Sequence, residues 1–107
     1  MYEVNEVPWD IVDLYVKERP GSRLARLLEE AHLRTTIDDD PADLLPWRTW
    51  PTFHYSSHTA EHNAYDQGQD PATIRGTPLW DVADAAGLRV GLFGLLQTWP
   101  PRPFKAG

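Results

Sequence analysis

Proline and glycine interrupt this chain at short intervals, and each piece they leave is long enough for one helix or one strand. Pro8, Pro20-Gly21, Pro41 with Pro46, Pro78, Gly87 and the run Trp99-Pro100-Pro101-Arg102-Pro103 each oppose the continuation of a regular element. Residues 2–7 read as a short strand that Pro8 ends. Pro8 also suits the start of a helix over residues 9–18, with Ile11, Val12, Tyr15 and Val16 at helical spacing. Ser22 is placed to cap a second helix, residues 23–31, whose Leu24, Leu27, Leu28 and Ala31 share a face. Residues 33–37 are rich in β-branched side chains and read as a strand, and residues 38–46 as an acidic, solvated loop.

Further on, residues 53–61 suit a helix and residues 63–71 are polar and irregular. Thr77 and Pro78 open a helix over residues 79–86 that Gly87 stops. RVGLFGLL, residues 89–96, then reads as a buried strand, with Gly91 and Gly94 marking close packing. The prolines after Trp99 take the chain out of a sheet. This alternation predicts an α/β fold: a partial parallel sheet of about three strands with flanking helices. So thin a sheet implies that residues 1–107 are one piece of a larger α/β domain, truncated at the C-terminus.

Composition narrows the function. A net charge of −6 and a pI near 5.0 exclude nucleic acid and an anionic membrane surface as natural partners. With no cysteine the chain has neither disulfides nor thiolate metal sites, which fits a reducing compartment. There is no basic segment followed by an apolar run at the start, and residues 90–96 are too short to span a bilayer. A cytoplasmic protein is expected.

The chemistry concentrates in PWRTWPTFHYSSHTAEH, residues 46–62. Thr52 stands where the helix over residues 53–61 would begin, and Thr49 shortly before it. A hydroxyl at a helix N-terminus is a candidate nucleophile or an ordinary N-cap. His54, His58 and His62 recur every four residues and would share one helix face, as zinc ligands can. Asn5 and Glu6, at the end of the first expected strand, stand where ligands bind in open parallel sheets. The same two residues also suit a turn and a solvated face.

Four segments in order resemble the N-terminal portion of alkaline-phosphatase-superfamily hydrolases, in the branch of type I phosphodiesterases and nucleotide pyrophosphatases. EVNEVPWDIVD resembles that family's first strand and metal-binding turn, and SRLARLLEEAHLRTT its next helix and strand. PWRTWPTFHYSSHTAEHN is similar to the nucleophile segment, and RGTPLWDVADAAGLRVGLFGLLQTWPPRP to the helix–strand unit that follows. The resemblance implies attack by Thr52, or Thr49 as runner-up, on a phosphodiester or related phosphate or sulfate ester. Two divalent metals, zinc or manganese, would serve the complete protein, with Asn5 or Glu6 at the position of the first metal-binding Asp. His62 would be the histidine that closes the nucleophile motif.

The chain departs from the family's pattern at Pro51, at Tyr55-Ser56, at Thr59 and in lacking Asp at the first ligand position. The family's remaining ligands lie beyond these segments, so the expectation is a chain inactive alone, associating with a complementing chain or with itself. The alternative is a small non-catalytic module that binds a metal or a protein through His54, His58 and His62.

Overall fold

Helices close their backbone hydrogen bonds within one segment, and that is the architecture this chain adopts. The structure, a computed structural model, describes residues 1, 3–33 and 43–105. It comprises α1 (Trp9–Glu18), α2 (Arg23–Glu30), α3 (Pro46–Tyr55), α4 (Thr59–His62), a 3-10 turn (Pro71–Thr73) and α5 (Leu79–Ala85). These elements fall into two units, Met1–Ile37 and Asp38–Gly107.

In the first unit, α1 carries Asp10 in its first turn and Lys17 in its last, each complementing the helix dipole. The Arg19 guanidinium lies over the Tyr15 ring, 5.5 Å from its centre. Ser22 caps α2 as its sequence position predicts, its Oγ accepting from the Ala25 N–H at 3.1 Å. Ala25 is buried, whereas Trp9, Ile11, Leu14 and Leu27 remain largely exposed.

In the second unit, α3 begins at Pro46, earlier than the pattern implies, and carries Pro51 inside it. Lacking an N–H, Pro51 forfeits the bond to the Trp47 carbonyl. The helix ends at Ser56, which turns left-handed (φ 52°, ψ 43°), and the Ser57 N–H reaches back to the Thr52 carbonyl at 3.3 Å. The single helix expected over residues 53–61 is therefore broken, and α4 starts afresh after His58, whose N–H donates to Glu61 Oε2 at 3.1 Å. α5 starts after Pro78 with no side-chain cap, so Thr77 does not serve as one. Gly87 ends the helix at φ 76°, as expected.

The expected partial parallel sheet does not form: among the described residues there is no strand. Asn5 and Glu6 form a turn with Glu6 left-handed (φ 53°), which no strand over residues 2–7 could accommodate. The strand over residues 33–37 lies outside the described residues beyond Leu33, as does the acidic triplet 38–40. Residues 89–96 run without regular structure, Gly94 bends them at φ 69°, and Phe93 is 99% exposed. The physical reason is that a strand needs a neighbour to take its backbone groups. No helix among the described residues is long and apolar enough to cross a membrane.

α5 instead holds the C-terminal segment with its carboxylates. Buried Asp84 accepts from the Lys105 N–H at 2.7 Å, and Asp81 pairs with Arg102, whose guanidinium also covers the Phe104 ring. Asp84→Ala should lower the free energy of unfolding by about 2 kcal/mol, the scale for a hydrogen bond to a charged group. Urea titration measures this, and the Lys105 amide should lose its protection from exchange at the same time. An unchanged midpoint with an intact amide would mean that other contacts hold the segment.

Candidate functional site

The residues singled out in the sequence meet at the junction of α3 and α4, where a buried imidazole has to satisfy both ring nitrogens. His62 is 1% exposed. Its Nδ1 accepts from the Ala64 backbone N–H at 3.0 Å, and its Nε2 lies 3.1 Å from Thr52 Oγ1. Because the Ala64 group can only donate, Nδ1 carries no proton, so the neutral ring bears its hydrogen on Nε2. His62 therefore donates to Thr52, and Thr52 passes its own proton to the Arg48 carbonyl, 2.9 Å away. The sequence of bonds runs one way, from Ala64 through His62 and Thr52 to Arg48.

That direction decides what the pair can do. A hydroxyl nucleophile activated by histidine donates its proton to the ring. Here the ring is the donor, and the hydroxyl proton is committed to a backbone carbonyl. Thr52 also lies beyond the middle of α3, away from the free N–H groups that would favour an anion at a helix start. Thr49, one turn earlier, donates to the Leu45 carbonyl at 3.3 Å.

The other histidines part company. His54, nearly fully buried, stacks on Trp50 with ring centres 5.8 Å apart and planes 21° apart. It also meets the Trp80 ring edge-on at 5.1 Å. His58 is exposed and flanks α4. With α3 and α4 separated at Ser56, the four-residue spacing no longer places the three rings on one helix face. Asn5 and Glu6 lie in the first unit, and Thr49 and Thr52 in the second. Among the described residues no group of three His, Asp or Glu side chains is arranged to hold a metal ion.

Several residues that organise this region were not among the candidate site residues of the sequence. Trp80 comes from α5, and its ring also meets Tyr55 edge-on at 6.2 Å. Gly76, at φ 98°, brings its loop so close that an added Cβ would stand 3.2 Å from the Tyr55 ring. Gln69 ties residues 63–73 together: its Oε1 accepts from the Tyr65 N–H at 2.8 Å, and its Nε2 donates to the Asn63 carbonyl and to Thr73 Oγ1. The Arg75 N–H donates to the His62 carbonyl at 2.9 Å, so this loop closes over the imidazole's own backbone. Spacing alone could not have revealed these long-range partners.

Comparison of the chain with family models, with curated proteins and with solved structures finds no match. The resemblance to alkaline-phosphatase-superfamily hydrolases thus stands on its motifs alone.

Burial, and secondarily the negative charge of Asp81, push the Tyr55 phenol above its ordinary value of 10.0. The unfolded chain therefore ionises this group first. Its contribution to stability is whole below pH 10.0 and is lost as the pH rises from there through the raised folded value. In an absorbance titration Tyr55 should be the late tyrosine, and Tyr55→Phe should remove that late step. If every phenol of the wild type ionises together while the fold persists, the burial assigned to Tyr55 is wrong.

Proposed function

We propose that this chain is a non-catalytic protein-binding module. The direction of the hydrogen bonds at Thr52 is the observation that carries the reading, because it gives the hydroxyl a structural task and leaves His62 with no basic nitrogen facing it. The surface supplies the rest of the support. Trp9, Ile11 and Leu14 on α1, and Leu88, Phe93 and Trp99 after α5, stay largely exposed, and few apolar side chains are buried among the described residues. Side chains of this size left in water favour contact with another protein.

The reading makes Thr52 and His62 a fastening between α3 and α4. Thr52→Ala removes one hydrogen bond in each direction and leaves the His62 Nε2–H without this acceptor, which costs about 1–3 kcal/mol of stability. No activity should be lost with it. Purified chain should not hydrolyse a bis(nitrophenyl) phosphate above buffer rate with zinc or manganese present, and thermal melts should show the destabilised variant. Metal-dependent hydrolysis abolished by Thr52→Ala would overturn the proposal in favour of the phosphoester hydrolase chemistry. Stoichiometric zinc uptake that disappears in the His54→Ala, His58→Ala double variant would instead make the module a metal binder.

A further inference from the structure

α2 carries its charges in an order that does not serve a helix standing alone. Arg23 and Arg26 lie at its N-terminal end, and Glu29 and Glu30 at its C-terminal end. Each sign thus sits on the end of the helix dipole that disfavours it. Nor does the order suit pairing along the helix. An acid four residues ahead of a base is the better arrangement, and Arg26 ahead of Glu30 is the reverse. Among the described residues none of these four side chains is joined in an ion pair.

Burial settles which way the residues face. Ala25 is buried and Leu24 and Leu28 are half-buried, which turns that side of α2 inward. Arg23, Arg26, Leu27 and Glu30 recur at the spacing of a single helix face, and all four are exposed, as is Glu29 beside them. The outward face therefore runs from two cations through Leu27, which is 59% exposed, to two carboxylates.

We propose that this face pairs with the same face of a second copy, the two α2 helices lying antiparallel about a twofold axis near Leu27. The charges choose the occupant. A uniformly acidic partner would be repelled by Glu29 and Glu30, and a uniformly basic one by Arg23 and Arg26. What fits is a surface with both signs in the opposite order, and a copy related by a twofold axis presents it. Arg23 and Arg26 of each copy then lie along Glu30 and Glu29 of the other, and the two Leu27 side chains meet at the axis. At eight residues α2 is about 12 Å long, less than a standard interface needs, and exposed ion pairs contribute little singly. The dimer is accordingly weak, reversible and sensitive to salt. It goes beyond the reading of the chain as a protein-binding module, because it stands on α2 and not on Thr52.

Sedimentation velocity over a concentration series at low salt tests this. The wild type should pass from monomer to dimer, and about 1 M salt, with a screening length of about 3 Å, should return it to monomer. The double variants Arg23→Glu, Arg26→Glu and Glu29→Arg, Glu30→Arg should each lose the dimer by roughly tenfold or more in affinity, since like charges then face each other. An equal mixture of the two should associate again. The fourfold reversal should dimerise as the wild type does and melt higher, because its charges then follow the dipole. It keeps the test decisive if either double variant fails to fold. A wild type monomeric at several hundred micromolar, a dimer that survives either double variant, or a fourfold reversal that stays monomeric overturns the proposal. A monomeric wild type leaves the reading of Thr52 standing, whereas hydrolysis dependent on Thr52 removes that reading and leaves this contact.

Discussion

A buried neutral imidazole with a donor fixed against one nitrogen can do only one thing with the other, and the junction of α3 and α4 is built on that restriction. The Ala64 N–H claims Nδ1 of His62, so Nε2 donates, and Thr52 is the hydroxyl that receives it and sends its own proton to Arg48. Each group in this sequence depends on the one before. Left without a partner, a buried donor or acceptor costs about 1–3 kcal/mol, a large share of what a unit with so small a core can hold in reserve. The short helix α4 has too few residues to persist by its own propensity and keeps its place through this contact with α3.

Around that junction the packing is aromatic rather than aliphatic. Trp50, Phe53 and His54 project from α3, Tyr55 closes the helix, and Trp80 arrives from α5 to meet both His54 and Tyr55. Rings meeting edge to face gain from their quadrupoles as well as from burial, so a few of them can organise a small unit. Pro51, buried in the middle of α3, gives up a backbone bond in the same helix. Side-chain hydroxyls of Thr49 and Thr52 run back to carbonyls one turn earlier on either side of it. The reactive-looking composition of this segment is thus absorbed largely by its own internal accounting of donors and acceptors.

What the sequence disclosed and what it hid divide along the range of the interactions involved. Ser22 as a cap, Gly87 as a stop, the apolar spacing of α1 and α2, and Pro78 at the start of α5 depend on residues a few positions apart, and all five are where the pattern placed them. The strands failed because a strand is defined by its neighbour, and neither the turn at Asn5-Glu6 nor the bend at Gly94 is visible in a β-prone composition. The histidines misled for a related reason. Four-residue spacing means a shared face only while one helix continues, and the left-handed Ser56 between His54 and His58 carries no marker as plain as a glycine. Thr52 and His62 were both picked out as chemically notable, yet the direction of the proton between them depends on Ala64, which nothing in the motif singles out.

Strand-like sequence in residues 89–96 without a strand also explains where the surface apolarity comes from. A run suited to burial on both faces finds no ladder partner among the described residues, so Phe93 stands fully exposed and Val90, Leu95 and Leu96 are only half-buried in a chain that is otherwise acidic. Covering them with a charged protein surface would strip water from carboxylates without repaying the loss. A surface poor in charge avoids that cost, and the carboxylates nearest to the run have been drawn inward by α5, where Arg102 and the Lys105 backbone take them up. The same contacts that hold the C-terminal segment therefore also leave Leu79 and Val82 as the exposed apolar side chains of α5.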